Sequence, residues 1–320
     1  MEFLREEDYN TALTERVLPL LAACRREEEF VCADGAKLFA VRYEARQPRG
    51  SVVILHGFGE NVEKYRELCY YFLKSGLTVQ LFEQRGHARS TREVEPGLVY
   101  IKRFSQYVSD FSAFMEANAP FLPTPRYLFA HSMGGAVSAL YLSKDTGVFT
   151  RAVLSSPMIA MQYKRVPRFL GYGACALLGT LMGTKRRFVG VHPAPPPEKE
   201  TLERSGATSL ARFEAYRAAK VGDKRLHAAS ATFAWTREAL GCTRDILKKG
   251  VPERIRIPVR VYAAEQEVLV QEGPQRRFAA RVPKGEFRTV RGAKHEIYFS
   301  KDEVAHPYFA EILSFFGAEE

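Results

Sequence analysis

Seven residues place a serine between an apolar run and a stretch compatible with a helix. They are Ala130 to Ala136, in the order Ala-His-Ser-Met-Gly-Gly-Ala. The preceding residues, Tyr127 to Phe129, suit a short buried strand, and small and apolar residues follow at helical spacing. Ser132 is therefore predicted to lie at a strand-to-helix bend. It can act as a nucleophile if the chain also supplies a base, an orienting acid and donors for an oxyanion. The alternative is an ordinary serine in a glycine-rich turn.

A second turn that could contribute to this chemistry follows the apolar run from Ser51 to Leu55. There His56 and Gly57 precede Phe58. Such a turn directs backbone N–H groups toward the edge where the strand ends. The N–H groups of Phe58 and Met133 are the predicted donors to an oxyanion. The alternative is that the His-Gly pair only ends a strand.

An acidic loop follows the strand pattern from Ile257 to Ala264. When the three residues occur in the chain order serine, acid, histidine, the acid lies on a loop after a late strand. Glu267 is the preferred acid, because Leu269 and Val270 would anchor its loop. Glu265 is the competing choice, and a surface carboxylate is the alternative for either.

The predicted base is His295. It follows a strand pattern and the turn at Gly292, and it precedes the last helical pattern of the chain. Its order and spacing favour it over five other histidines, which suit loop, packing or surface positions: His87, His131, His192, His227 and His306. With Ser132 and Glu267, His295 would complete the groups needed for acyl transfer.

The elements that must position these residues alternate between strand and helix patterns. A chain of 320 residues with this alternation is predicted to be one α/β domain with an insertion. Strand patterns occur before residue 160 and after residue 255. The expected division is a first core part with an N-terminal helical extension over 1–158, a mostly helical cap over 159–254, and a second core part over 255–320. Within the cap, the segment from Pro193 to Pro197 predicts a stiff, exposed linker.

These segments together resemble a branch of the α/β-hydrolase superfamily that contains bacterial lysophospholipases of the PldB type and monoacylglycerol lipases. The resemblance covers most of the chain outside its N-terminus. It rests on the segments that begin at Leu55 (Leu-His-Gly-Phe-Gly), Phe82 (Phe-Glu-Gln-Arg-Gly-His-Ala-Arg-Ser), Phe104, Ala130, Ser155, Thr232 and Gly292 (Gly-Ala-Lys-His-Glu-Ile).

The resemblance implies a fold and a mechanism. The fold would be a mostly parallel central sheet with helices on both faces and an inserted helical cap. The mechanism would use Ser132, His295 and Glu267 with no metal or organic cofactor. The sequence departs from the family pattern at Ala130, where a glycine is usual, at Glu83 and Gln84, and over 161–207. Because that last region should form the lid, it bears on substrate identity.

The excess of positive charge is concentrated in the predicted cap. The formal net charge is +10. Six cap residues contribute to it beside the apolar run 169–182: Lys164, Arg165, Arg168, Lys185, Arg186 and Arg187. An apolar helix fringed by cations suits a lid that lies on anionic lipid. Lys164, Arg165 and Arg168 are also predicted to bind a substrate phosphate. The alternative is a cap packed on the core with solvated charges. No motif predicts nucleic-acid binding.

The cysteines and the N-terminus bear on localisation. Five scattered cysteines without metal-ligand spacing predict a reducing compartment, so we expect a cytoplasmic protein with peripheral membrane contact. The run 169–182 is broken by three glycines and is too short to span a bilayer. The segment ending in Cys24 resembles a lipoprotein cleavage site, but an acidic start precedes it. A helix packed on the body before the first strand is preferred there.

The predicted function is hydrolysis of an acyl ester of a single-chain lipid. Lysophospholipid is the first choice, because the resemblance and the basic cap both favour it. Monoacylglycerol is the close alternative, and a short-chain carboxylesterase with a tight lid is another. A hypothesis of a different class is a non-catalytic relative that uses the fold for binding, since fold alone does not establish chemistry.

Overall fold

The computed structural model describes residues 1–144, 147–162, 168–188, 193–227 and 229–318, without the side chains of residues 168 and 169. Within these ranges, eight strands form one large sheet and two short strands pair separately. The strands are β1 (Arg25–Val31), β2 (Lys37–Tyr43), β3 (Gly50–Leu55), β4 (Leu77–Phe82), β5 (Leu98–Val99), β6 (Arg126–His131), β7 (Arg151–Ser155), β8 (Ser230–Ala231), β9 (Val259–Ala264) and β10 (Gly285–Val290).

The helices alternate with these strands along the chain. They are α1 (Tyr9–Ala12), α2 (Leu18–Cys24), α3 (Arg66–Lys74), α4 (Ser105–Asn118), α5 (Met133–Leu142), α6 (Arg168–Met182), α7 (Leu210–Gly222), α8 (Phe233–Ile246), α9 (Glu272–Arg281) and α10 (Asp302–Phe315). A π-helical turn, Leu13–Val17, joins α1 to α2. Short 3-10 helices include Val62–Tyr65 before α3 and Ile297–Phe299 before α10.

The large sheet has the order β1-β2-β4-β3-β6-β7-β9-β10. Strand β2 runs antiparallel to both of its neighbours, and the remaining neighbouring pairs are parallel. Parallel strands that are covered on both faces need continuous apolar runs. All residues of β3 and β4 are buried and most are apolar, with Ser51, Thr78 and Gln80 as the buried polar exceptions. The sheet is therefore mostly parallel, as predicted.

Helices cover both faces of the sheet. Alternate residues of β3 point to opposite faces, so Val53 and Leu55 join one apolar cluster while Val52 and Ile54 join the other. Residues from α4, α5, α8 and α9 contribute to the first cluster, and residues from α3, α7 and α10 contribute to the second. The predicted fold, a central sheet with helices on both faces, is confirmed.

A long, mostly helical segment lies between two strands that are neighbours in the sheet. Strands β7 and β9 pair directly, and α6, α7 and α8 fall between them in sequence. Helix α8 packs on the body of the protein, where Ala239, Cys242 and Ile246 belong to the same apolar cluster as α4 and α5. The division of the chain at 158/159 and 254/255 stays a prediction.

The N-terminal segment packs against the body before β1, as preferred for this part of the sequence. Leu4, Tyr9 and Leu21 are buried in the second apolar cluster. The guanidinium of Arg212, on α7, is completely buried beside this segment. It donates to Glu67 Oε2 at 2.9 Å and to the carbonyl of Leu4 at 3.1 Å. One buried cation therefore joins the N-terminal segment, α3 and α7.

Candidate active site

Ser132 lies in a strained turn between β6 and α5. Its backbone has φ 49° and ψ −114°, a region that side chains rarely adopt. The two glycines that follow are required by close packing. A Cβ at Gly134 would lie 2.3 Å from the carbonyl oxygen of Leu55, and one at Gly135 would lie 2.5 Å from Cβ of Pro157. The predicted bend is present, with Ala130 buried in the strand before it.

Two side chains from later loops meet the hydroxyl of Ser132. His295 Nε2 lies 2.9 Å from Ser132 Oγ, and His295 Nδ1 lies 2.6 Å from Glu267 Oε2. Since a carboxylate only accepts, Nδ1 must carry the proton that it donates to Glu267. Nε2 then presents a lone pair, and the serine hydroxyl donates to it. The structure thus brings together the three residues predicted from the sequence, in a geometry suited to removing the serine proton.

The second carboxylate oxygen of Glu267 holds its own loop. Oε1 accepts the backbone N–H groups of Val268 and Leu269, each at 2.8 Å. Burial raises the pKa of Glu267, but its hydrogen bond to His295 and the nearby backbone donors outweigh this effect, so the pKa lies below its usual value. The expectation that Leu269 and Val270 anchor the loop is wrong for one of them. The side chain of Val270 is buried, whereas Leu269 is 55% exposed.

The competing acid, Glu265, has another position. It is exposed, and its Oε2 accepts the N–H of Gly292 at 2.8 Å. Glu265 therefore stabilises the turn that precedes the His295 loop. Among the described residues, its side chain has no hydrogen bond to the imidazole of His295. Its role here is to support a loop.

The predicted oxyanion donors lie on adjacent loops. Strands β3 and β6 are neighbours in register, with Leu55 opposite Ala130. The loops that carry Phe58 and Met133 therefore leave the same edge of the sheet side by side. Met133 is the first residue of α5, so its N–H has no acceptor within the helix. The ring of Phe58 packs on Trp235, with ring centroids 4.1 Å apart, and this contact fixes the loop against α8.

His56 and His87 are structural. Gln84 N donates to His56 Nε2 at 2.8 Å, so the other ring nitrogen carries the proton and donates to the carbonyl of Gly57 at 2.7 Å. Burial lowers the pKa of His56 to about 4 and that of His87 to about 3, so both are neutral near pH 7. The turn at residues 56 and 57 therefore does more than end a strand, because His56 ties it to the loop at Gln84.

Sequence reasoning missed a buried polar cluster beneath these loops. The carboxylate of Glu60 contacts Lys64, Tyr65, His131 and Tyr298, all of which are buried. The signal that could have revealed it is the position of Glu60, an ionisable residue only two places after Phe58. His131, one of the five histidines set aside as candidate bases, hydrogen-bonds through Nε2 to the backbone carbonyl of His295 at 3.3 Å.

The cap residues proposed to bind phosphate fall mostly outside the described part of the chain. Lys164 and Arg165 lie there, as does His192, and only the backbone of Arg168 is described, at the start of α6. Lys185 and Arg186 are exposed beyond the end of α6. Among the described helices, none is long and apolar enough to cross a membrane. Nor do the described residues include a group of three or more His, Cys, Asp or Glu side chains that could hold a metal ion.

The fold and the site define a serine hydrolase with the α/β-hydrolase fold. The sheet order, the strained serine turn and the meeting of Ser132, His295 and Glu267 carry this assignment. The chain belongs to the family described as Serine aminopeptidase, S33, whose model matches residues 46–302. The sequence-based hypothesis of an enzyme of the lysophospholipase and monoacylglycerol lipase type is confirmed at this level.

Named relatives and solved structures agree with this class. The chain is 29% identical over 312 residues to Lysophospholipase L2 of Escherichia coli (strain K12), covering 92% of this chain and 88% of that protein. It is 31% identical over 142 residues to the monoacylglycerol lipase of Mycolicibacterium smegmatis, covering 44% of this chain and 49% of that protein. Its fold matches a soluble variant of monoglyceride lipase from Saccharomyces cerevisiae with a TM-score of 0.70 and 18% identity, over 92% of this chain and 96% of that one.

Proposed function

We propose that this enzyme releases a fatty acid from a single-chain lipid ester through Ser132, His295 and Glu267. The observation that carries the proposal is the continuous hydrogen-bonded chain from Ser132 Oγ to His295 at 2.9 Å and from His295 to Glu267 at 2.6 Å. All three side chains are largely shielded from water. Shielding strengthens the electrostatic interactions on which proton transfer depends.

The reaction would proceed through an acyl-enzyme. Ser132 Oγ attacks the ester carbonyl while His295 Nε2 takes its proton, and the N–H groups of Phe58 and Met133 donate to the oxyanion. The tetrahedral intermediate collapses as His295 returns the proton to the leaving alcohol. Water then attacks the acyl group with His295 again as base, and the fatty acid departs. Glu267 stabilises the imidazolium that forms in both halves.

The chemistry is tested by removing the nucleophile. Ser132→Ala should lose ester turnover and labelling by a fluorophosphonate probe while it remains folded by circular dichroism. Ser143→Ala is the matched control, since Ser143 follows the same helix and its hydroxyl donates to the carbonyl of Leu140, away from His295 and Glu267. Equal turnover by Ser132→Ala and the wild type would contradict the mechanism, and absent labelling of the wild type would revive a purely binding role.

Lysophospholipid is the proposed substrate. The similarity to Lysophospholipase L2 extends over nearly the whole chain, whereas the match to the monoacylglycerol lipase covers less than half of it. A phosphate group would also be attracted by the cationic cap. Monoacylglycerol is the second candidate, supported by that partial match. Fatty-acid release from lysophosphatidylcholine and from monoacylglycerol of the same chain length should favour the former.

The cap cations provide a sharper test of the phosphate. Neutralising Lys164, Arg165 and Arg168 to glutamine should raise the KM for lysophospholipid and leave monoacylglycerol hydrolysis unchanged. The matched control replaces three exposed cations that lie outside residues 164–168, namely Lys248, Lys249 and Arg254. A strong preference for the uncharged glyceride that the cap triple variant does not alter would exclude phosphate recognition.

The length of the acyl chain separates lipid hydrolysis from small-ester hydrolysis. A series of nitrophenyl esters should give rising kcat/KM up to long chains for an enzyme of lipids. A maximum at two to four carbons would instead favour the short-chain carboxylesterase. The thiols of Cys24, Cys32, Cys69 and Cys175 are free in the structure, and this supports a reducing compartment as its location.

Helix α6 is proposed to contact an anionic membrane surface. Its exposed apolar side chains are Leu170, Tyr172, Leu177, Leu181 and Met182. Exposed Lys185 and Arg186 follow them directly, which adds charge complementary to anionic headgroups. Replacing Leu177 and Leu181 by serine should reduce sedimentation with phosphatidylglycerol vesicles, and Leu210→Ser, an equally exposed site on α7, should not. Equal binding by all three proteins would exclude this surface.

A further inference from the structure

A single buried carboxylate holds the turn that carries the proposed oxyanion donor. Glu60 is only 6% exposed, and its Oε2 accepts the backbone N–H of Gly57 at 2.6 Å and the hydroxyl of Tyr65 at 2.5 Å. No side chain fits at Gly57, because a Cβ there would lie 2.9 Å from both Glu60 Oε2 and His131 Nδ1. The turn and the carboxylate are therefore packed directly together.

Gly57 is held on both sides. Its N–H is bound by Glu60, and its carbonyl accepts from His56 Nδ1 at 2.7 Å. The carbonyl of Gly57 and the N–H of Phe58 belong to one planar trans peptide unit, in which they point in opposite directions. Fixing the carbonyl of Gly57 consequently fixes the direction of the Phe58 N–H. That N–H is the group to which the oxyanion would bind.

The same carboxylate reaches the two other loops of the site. Its Oε1 lies 3.0 Å from His131 Nδ1, on the residue before Ser132, and it accepts the hydroxyl of Tyr298 at 3.2 Å. Through Nε2, His131 in turn contacts the carbonyl of His295 at 3.3 Å. Glu60 is thus linked to the oxyanion loop, to the serine turn and to the histidine loop.

Lys64 strengthens this link. Its ammonium donates to Glu60 Oε1 at 2.8 Å and to Glu296, the residue after His295, at 2.6 Å. Burial alone would raise the pKa of Glu60, but the nearby His131 and Lys64 lower it well below its usual value. Glu60 is therefore ionised, and its hydrogen bonds are charge-assisted, which makes them stronger and more directional than neutral ones.

We propose that Glu60 is a positioning residue that holds the Phe58 N–H and the His295 loop in the geometry of the transition state. The proposal rests on the function proposed above for Ser132 and Phe58. Glu60 touches no reacting atom in it. Its contribution would be made to the chemical step and not to substrate binding.

The test is Glu60→Gln, measured with nitrophenyl esters of several chain lengths. We expect kcat to fall about a hundredfold, as when one oxyanion donor is lost, with KM changed less than about twofold and the same factor for each chain length. The affinity for a trifluoromethyl ketone, which forms an oxyanion at the serine, should fall in parallel. Glu63→Gln is the matched control, because Glu63 is equally buried but its ion pairs are with Arg25, Arg66 and Arg89.

Three results would overturn the proposal. They are an unchanged kcat and inhibitor affinity, a raised KM with unchanged kcat, and an equal loss of kcat in Glu63→Gln. If Glu60→Gln does not fold, Tyr65→Phe removes one donor to the carboxylate and should lower kcat severalfold with an unchanged KM; no effect there would also refute it. Turnover that persists in Ser132→Ala would refute the proposed function itself, which keeps the two failures distinct.

Discussion

Replacing Glu267 by glutamine should disable the imidazole without altering the size of the side chain. In the wild type, Oε2 accepts from His295 Nδ1, and Oε1 accepts the backbone N–H groups of Val268 and Leu269 at 2.8 Å and of Val270 at 3.4 Å. Glutamine has only one oxygen. If that oxygen keeps the backbone bonds, the amide NH₂ faces Nδ1, which must lose its proton. The proton then lies on Nε2, and the imidazole can no longer accept from Ser132.

The other orientation of the Glu267→Gln amide also removes hydrogen bonds. If the oxygen faces His295, the NH₂ group meets the N–H groups of Val268 and Leu269, whose present acceptor is 2.8 Å away. These donors, and the N–H of Val270, would then lose their acceptor, and the loop would shift. Loss of the orienting acid in a comparable triad lowers kcat about ten-thousandfold. We expect the same here, which corresponds to about 5 kcal/mol in the activation barrier.

The assay is steady-state hydrolysis of a nitrophenyl ester near pH 7, with the folded fraction checked by thermal unfolding. Glu265→Gln is the matched control. Glu265 is exposed and accepts only the N–H of Gly292 among its described hydrogen bonds, so its loss should change kcat by less than about fivefold. A larger loss in Glu265→Gln than in Glu267→Gln would refute the assignment of the acid. So would a loss of less than about tenfold in a folded Glu267→Gln.

Three further predictions concern stability, each measured by urea unfolding. Gly134→Ala places a Cβ 2.3 Å from a backbone oxygen and should cost about 3 kcal/mol, whereas Gly173→Ala, which meets nothing within 4 Å, should cost nothing. Arg212→Met leaves Glu67 buried without its cation and should cost about 4 kcal/mol, against less than about 1 kcal/mol for the more exposed Arg217→Met. Burial raises the pKa of Glu83 from 4.5 to about 7. Ionisation of Glu83 therefore destabilises the folded wild type as the pH rises through this window. The free energy of unfolding of Glu83→Gln, relative to that of the wild type, should increase by about 3 kcal/mol between pH 4.5 and about pH 8. A pH-independent difference would contradict this.

Sequence patterns were sufficient for the fold, and they singled out Ser132 and His295. The alternation of apolar runs predicted a parallel sheet, and chain order separated His295 from five other histidines. The sequence favoured Glu267 but left Glu265 as the competing choice, because both follow β9 within three residues. Only the geometry shows that Glu267 reaches the imidazole while Glu265 binds Gly292.

What the sequence could not provide were contacts between distant loops. Glu60 and Tyr298 are 238 residues apart, and nothing in the local pattern near either one indicates that their side chains meet. The prediction that Leu269 anchors its loop was wrong for a related reason. A hydrophobic pattern predicts anchoring by side chains, and here the loop is held by backbone N–H groups bound to Glu267.

The residues at Glu83 and Gln84 show how a departure from the family pattern is accommodated. Glu83 accepts the backbone N–H of Arg89 at 2.7 Å and its guanidinium at 3.0 Å. Gln84 binds His56 through both its backbone and its side chain. The pair therefore fixes the loop that supports the His-Gly turn.

Helix α8 differs in its structural role from the rest of the segment between β7 and β9. Because β7 and β9 are parallel neighbours, the chain must return across the sheet to begin β9, and α8, buried on one face, makes that crossing. The stretch before α8 does not make this crossing. Its own constraint is α7, whose Arg212 and Phe213 are buried against the core, whereas α6 carries the exposed side chains of Leu170, Leu177 and Leu181. Side chains of α6 can therefore change without disturbing the sheet, whereas changes at the buried side chains of α7 and α8 would disturb the core.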